Sequence, residues 1–152
     1  MVARNEMLMP SEFLADPRCA EVYVVRVRPL GFCVVSGLAG RLILVVEDEP
    51  LVALDIAQSF ERAGARVITT RARSDAIAKT EGVSAAILDF GLGDGDGRSL
   101  YAELRSRGIP FIIYSGYSRP AALDVPFITK PTDMRVLLQA IAGLLDAHTA
   151  PA

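Results

Sequence analysis

The sequence predicts an open α/β fold, a doubly wound five-stranded parallel sheet with helices on both faces. Three observations predict it. Strand-like and helix-like segments alternate from Arg41 onward with short connections, the pattern of consecutive βα units. Four apolar runs each end on a polar or charged residue: Glu47-Asp48, Asp89, Ser115 and Lys130. The composition is 51% hydrophobic with a mean hydropathy of +0.34, as expected when a parallel sheet is buried on both faces.

The first strand is Leu42-Ile43-Leu44-Val45-Val46. A helix opens at Pro50, a residue that suits the first turn. Val52, Ala53, Ile56, Ala57 and Phe60 then fall on one helical face and Gly64 stops it. Residues 66–70 form the second strand. A short helix is expected near 74–80, with Ser74 as its cap and Gly82 as its stop. The third strand is 84–88, followed by a helix over 99–107 that ends at Gly108. Residues 110–114 and 126–129 supply the fourth and fifth strands. The last helix runs over about 132–146 with Val136, Leu137, Ala140, Ile141 and Leu144 facing inward. Between the fourth and fifth strands, residues 116–125 contain Arg119-Pro120 and leave room for little more than one turn of helix.

Length and charge narrow the function. A chain of 152 residues holds one compact core, and not two ordinary domains. The net charge of −2 and pI of about 5.4 imply no broad basic surface for nucleic acid. Cys19 and Cys33 lie outside the expected core and read as small apolar residues, because a core of this size needs no disulfide. The longest apolar candidate for a bilayer span, 30–39, contains Gly31, Ser36 and Gly37 and falls well short of the roughly twenty residues a span needs. It starts too far into the chain for an export signal, so a cytoplasmic protein without membrane contact is expected. The chain divides near Gly40, giving an N-terminal extension over 1–40, a domain over 41–146 and a tail over 147–152. The extension is compatible with a tail, an added strand, or residues ahead of the true start of translation.

In an open parallel sheet the carboxyl ends of the strands gather at one edge, where ligands bind. Glu47, Asp48, Asp89, Ser115 and Lys130 would meet there. Carboxylates about 4 Å apart repel by roughly 4 kcal/mol per pair at an effective dielectric near 20, so such a cluster calls for a cation. An oxygen-rich site with a phosphoryl group nearby suits Mg²⁺. Alternative readings of single residues are weaker than this joint one. A lone Asp after a strand is ordinarily a turn residue or helix cap, and Glu47-Asp48 ahead of Pro50 could simply favour a helix N-terminus. Yet Lys79 and Lys130 are the lysines of a chain otherwise basic through Arg, and a Lys between Thr129 and Pro131 fits a site wanting a compact ammonium. The run Gly93-Asp94-Gly95-Asp96-Gly97 resembles a calcium loop, but Arg98 and Arg105 stand where that loop needs acidic or amide ligands. His148 reads as a surface residue.

Taken in order and spacing, Glu47-Asp48, Asp89, Ser115-Gly116 and Lys130-Pro131 make the segment from Arg41 to about Leu145 resemble the receiver domain of bacterial two-component response regulators. The segments Asp89-Phe90-Gly91-Leu92, Arg107-Gly108-Ile109-Pro110-Phe111 and Ser115-Gly116-Tyr117 further resemble the single-domain FAT-GUY group. Pro110, Phe111, Gly116 and Tyr117 match that group's motif, whereas Ile113, Tyr114 and Ser115 replace its Phe, Ala and Thr. The resemblance implies a flavodoxin-like sheet with a reduced fourth helix. It implies that Asp89 is the phosphoacceptor and that Asp48, Asp89 and the Gly91 backbone carbonyl ligate Mg²⁺, with Glu47 acting through water. Lys130 and Ser115 would stabilise charge on the transferred group, and Gly116 would keep the approach open. Ser115, Tyr117 and Phe127 would form the switch; Phe127 fits a core position equally well.

The expected function is therefore a stand-alone response regulator, taking a phosphoryl group from a sensor histidine kinase or phosphotransfer protein. It would not be an enzyme, but a phosphoacceptor that assists its own phosphorylation and dephosphorylation. Only about half a dozen residues follow the last helix, so output would be phosphorylation-dependent binding to a downstream protein, or service as a phosphate sink. A pseudo-receiver interaction module is the alternative, and the intact acidic, hydroxyl and ammonium set argues against it. A Mg²⁺-dependent phosphohydrolase would want Asp-x-Asp at the nucleophile, whereas Phe90-Gly91 follow Asp89.

Overall fold

The computed structural model describes residues 35–92, 98–121 and 124–149. Five strands and four helices follow in the order β1 Leu42–Val46, α1 Pro50–Arg62, β2 Arg66–Thr70, α2 Arg73–Ala78, β3 Ala85–Leu88, α3 Arg98–Ser106, β4 Phe111–Ser115, β5 Phe127–Thr129 and α4 Met134–Thr149. All pairings are parallel and the strand order is β2-β1-β3-β4-β5. The doubly wound sheet is thus the one expected, flavodoxin-like in order.

Alternation along the central strands divides the core. Ile43 and Val45 of β1, Ile87 of β3 and Ile112 of β4 join Ile56 and Phe60 of α1 and Leu137, Ile141 and Leu145 of α4 in one cluster. Leu44 and Val46, Leu88 and Ile113 point the other way, to Ala76 of α2 and Leu100 and Leu104 of α3. Successive strand side chains face opposite sides, so strands buried on both faces must be apolar throughout. This is why β1, β3 and β4 read as continuous apolar runs. Leu38, ahead of β1, is fully buried in the α1/α4 cluster.

Helices α1 and α3 end alike. Gly64 (φ +91°) and Gly108 (φ +65°) take the left-handed conformation, and the following amides, Ala65 and Ile109, donate back to the carbonyls of Phe60 and Leu104 at 3.0 and 2.8 Å. That is the glycine-terminated C-cap.

Three expectations are corrected. Helix α2 begins at Arg73 behind Ala72, with no side-chain cap, so Ser74 lies inside the helix. Val136 is 45% exposed, and the buried stripe of α4 is Leu137, Leu138, Ile141, Ala142 and Leu145. Ala140 and Leu144 are half-buried against the same cluster. The helix runs on to Thr149 and starts at Met134. Among the described residues no helix lies between β4 and β5, which is the extreme of the expected reduction. Cys19, Cys33 and the residues 93–97 fall outside the described part, as do most of 1–40.

Asp133, just before α4, accepts the Arg135 amide on Oδ1 at 2.9 Å and pairs with the Arg135 guanidinium. These contacts hold its carboxyl at about 2. A depressed carboxylate contributes stability that is present above its unfolded value near 3.8 and lost as pH falls toward 2. Asp133→Ala is therefore expected to lower the melting temperature at pH 7, with the difference shrinking as pH falls from about 4 through about 2. Melting curves of both proteins across that range check it.

Candidate functional site at the carboxyl edge of the sheet

The sheet itself sets the positions of the site residues. Glu47 follows β1, and its amide donates to the Thr70 carbonyl of β2 at 2.9 Å. Asp89 follows β3, with its amide on the Val46 carbonyl at 2.9 Å. Ser115 is the last residue of β4, and its carbonyl accepts the Lys130 amide at 2.8 Å. Each polar residue is therefore an extension of the ladder between two strands, which fixes its backbone to within the tolerance of those bonds. A cis peptide joins Lys130 to Pro131.

The expected residues converge. Lys130 Nζ donates to Glu47 Oε2 and to Asp89 Oδ2, at 2.5 and 2.9 Å. Asp89 Oδ1 accepts the Gly91 amide at 2.9 Å, and Glu47 Oε1 accepts the Glu49 amide at 3.2 Å. Ligand atoms of Glu47, Asp48 and Asp89 lie within 4.8 Å of one another. Glu47 is buried and Asp48 exposed, with Asp89 and Lys130 between these extremes. The Lys130 ammonium also lies 5.3 Å from the centre of the Tyr114 ring, a cation–π distance.

Burial and charge pull against each other here. Burial drives the Glu47 carboxyl above its ordinary value, with Asp89 adding to the rise and Lys130 opposing it. Burial acts upward on Asp89 too, but the Gly91 amide, Lys130 and Ser115 together bring it below its ordinary value. Lys130 is raised, because its two carboxylate partners outweigh burial. Glu47 and Lys130 thus shift in the same sense although they form one ion pair. The physical account is that one ammonium is shared by two carboxylates, and the more deeply buried one is under-compensated. Three carboxylates against one ammonium leave a net negative set of hard oxygen donors, which fits a small divalent cation such as Mg²⁺.

Ser115 is fully buried in its residue total, and its Oγ accepts the Tyr117 amide at 3.4 Å. Tyr117 is 63% exposed, and its ring lies across Gly91: a Cβ at Gly91 would sit 2.5 Å from Tyr117 Cε2. Any side chain at that position would displace the ring. A Cβ at Gly116 would meet nothing within 4 Å, so the space beside it is open. Phe127, at the start of β5, is half-buried and packs against the α2/α3 side of the core.

One residue beside the site was not foreseen. Arg73 of α2 is 5% exposed, and its guanidinium donates to the carbonyls of Leu92 and Phe90 at 2.9 and 3.0 Å. The sequence carries no clear sign of it, since arginine is ordinarily a surface residue and three arginines stand close together at 66, 71 and 73.

The fold and site define a class: an open α/β sheet carrying a carboxylate–lysine pocket at its carboxyl edge. Residues 43–142 match the family model of the response regulator receiver domain, and the chain belongs to that family. Solved structures agree. A response regulator receiver protein from Sinorhizobium medicae WSM419 superposes with a TM-score of 0.65 at 22% identity, over 72% of this chain and 97% of its own. A CheY-like receiver domain protein from Methanospirillum hungatei JF-1 gives 0.64 at 27% identity, over 72% and 97%. The response regulator PhyR from Brucella abortus gives 0.61 at 26%, over 72% of this chain and 49% of its own. No curated protein matches the sequence significantly. Among the described residues no helix is long and apolar enough to cross a membrane.

Proposed function

We propose that this chain is a phosphoacceptor in a two-component phosphorelay, with Asp89 the residue that carries the phosphoryl group. The observation that carries the reading is the Lys130 ammonium set between Glu47 and Asp89, at the edge where a parallel sheet presents its ligands. A carboxylate oxygen of Asp89 attacks the phosphorus of a phosphohistidine on a kinase or phosphotransfer partner. The P–O bond forms as the P–N bond breaks, and the imidazole leaves with the electron pair. Lys130 and the Ser115 hydroxyl stabilise charge on the peripheral oxygens, the main contribution a protein makes to phosphoryl transfer. Asp48, Asp89 and the Gly91 carbonyl would hold Mg²⁺ directly and Glu47 through water. The ion would supply charge neutralisation at the transferred group.

Asp89 is held below its ordinary value, so it is ionised and nucleophilic at neutral pH. Transfer draws Ser115 and Lys130 toward the phosphoryl group, and Tyr117 and Phe127 follow because they flank those two residues. The output is phosphorylation-dependent binding to a downstream protein, or a phosphate sink. Incubation with phosphoramidate and Mg²⁺ tests the reading by mass spectrometry. Gain of one phosphoryl group is expected; no gain would leave a pseudo-receiver that binds without being phosphorylated.

Asp48→Asn separates ligand from repulsion. Removing one exposed carboxylate from the cluster relieves roughly 1 kcal/mol of repulsion, the scale for charges about 4 Å apart in water. The variant should melt higher than the parent without Mg²⁺ and bind Mg²⁺ about tenfold more weakly. Calorimetric titration showing unchanged affinity would remove Asp48 from the ligand set.

A further inference from the structure

We infer that Arg73 is a positioning residue for the metal site: its guanidinium, by gripping the carbonyls of Phe90 and Leu92, turns the Gly91 carbonyl between them toward the acidic cluster. This rests on the Mg²⁺ reading above and adds a residue to it that lies outside the acidic, hydroxyl and lysine set.

The geometry is specific to arginine. Two different nitrogens are used, Nη1 to Leu92 O and Nη2 to Phe90 O, at 2.9 and 3.0 Å. The planar fork therefore donates to both carbonyls from two nitrogens held in a fixed relation, a directionality that a point-like ammonium on a flexible stem does not impose. Those two carbonyls bracket Gly91, whose own amide is fixed on Asp89 Oδ1 at 2.9 Å. With the Gly91 amide tied to Asp89 and the Phe90 and Leu92 carbonyls tied to Arg73, the peptide units before and after the one that carries the Gly91 carbonyl are held. The Gly91 carbonyl is then presented in one orientation, before any cation arrives. Burial makes the hold firm, since Arg73 is 5% exposed and hydrogen bonds from a charged donor are strong away from water. A buried guanidinium in a six-residue helix is hard to explain as packing, because apolar side chains would fill that space without the desolvation cost.

The sign of the effect on metal affinity discriminates this role from a purely electrostatic one. Arg73 is a cation near a cation site, so deleting its charge would by itself tighten Mg²⁺ binding. A positioning role predicts the opposite. Arg73→Gln and Arg73→Lys are compared with the unaltered protein by calorimetric titration with Mg²⁺ alone, by melting temperature, and by the Gly91 amide proton resonance. Both variants should bind Mg²⁺ about tenfold more weakly, although one keeps the charge. The Gly91 resonance should shift in both before Mg²⁺ is added. Should Arg73→Gln fail to fold, Arg73→Lys decides the matter by the same readouts. Affinity equal to or tighter than that of the unaltered protein in a folded variant overturns the inference, as does failure of both variants to fold, which would assign Arg73 to the fold alone. If the unaltered protein does not bind Mg²⁺, the metal reading of the site itself falls.

Discussion

Asp89→Ala is expected to abolish the base-labile, acid-stable label that phosphoramidate places on the protein in Mg²⁺. Of the three carboxylates in the cluster, Asp89 combines what a nucleophile needs. It is ionised, because the Gly91 amide, Lys130 and Ser115 offset its burial. It is in contact with the ammonium that would receive the transferred charge. The Glu47 side chain is 3% exposed against 12% for Asp89, so it is less open to an incoming phosphoryl donor. Asp48 lies at the surface, outside the two carboxylates that Lys130 contacts. The variant should remain folded, since Lys130 keeps Glu47 as its partner. Labelling at the parental level would reassign the acceptor, and peptide mapping would show where.

Lys130→Met has the second large effect, and it acts on three quantities at once. Loss of a preorganised charge at the transferred group should slow phosphorylation by about 10²–10³. Without Mg²⁺, removal of the ammonium leaves Glu47 buried beside Asp89 with no counter-charge. Breaking a buried pair in this way costs about 3 kcal/mol, read by denaturant unfolding at pH 7. Mg²⁺ affinity should rise, because the ammonium no longer competes for the same oxygens. The pH dependence has a definite sign. Lys130 is raised above its unfolded value near 10.5, so its contribution is complete below that pH and is lost as pH climbs through the raised value. The unaltered protein should therefore lose stability above pH 10.5 by a route the variant lacks. A variant as stable and as reactive as the parent would separate Lys130 from both roles.

Much of this was legible because each strand in the centre of the sheet is apolar on both faces. The runs at β1, β3 and β4 could be nothing amphipathic, and the polar residue ending each run was therefore at the edge. Helix α4 was legible as a helix but not in its facing. Val136, Leu137, Leu138, Ala140, Ile141, Leu144 and Leu145 are apolar nearly all round, so periodicity alone fits two stripes one residue apart. Packing against α1 and the sheet selects Leu137, Leu138, Ile141, Ala142 and Leu145, and Val136 is left in solvent. Ser74 is a good capping residue in isolation, but the chain enters α2 one residue earlier. That earlier start puts Arg73 in the first turn, where it reaches the loop after β3. Contacts of this kind join residues 17 and 19 positions apart and leave no local pattern to find. Leu38 is similar: one buried side chain ahead of a glycine cannot be told from linker until the sheet it covers is in place.

The strand that leads into Lys130 has a consequence for how the site fails. β5 is three residues long, is paired with β4 alone, and none of its residues is fully buried. Lys130 and Glu47 are 83 positions apart, so the pocket is held shut at one corner by the weakest seam of the sheet. Fraying at that edge withdraws the ammonium while β1, β3 and β4, and Asp89 with them, stay in place. Warming should then silence the acceptor at a temperature where the rest of the domain is still native, and cooling should restore it, without any molecule having unfolded.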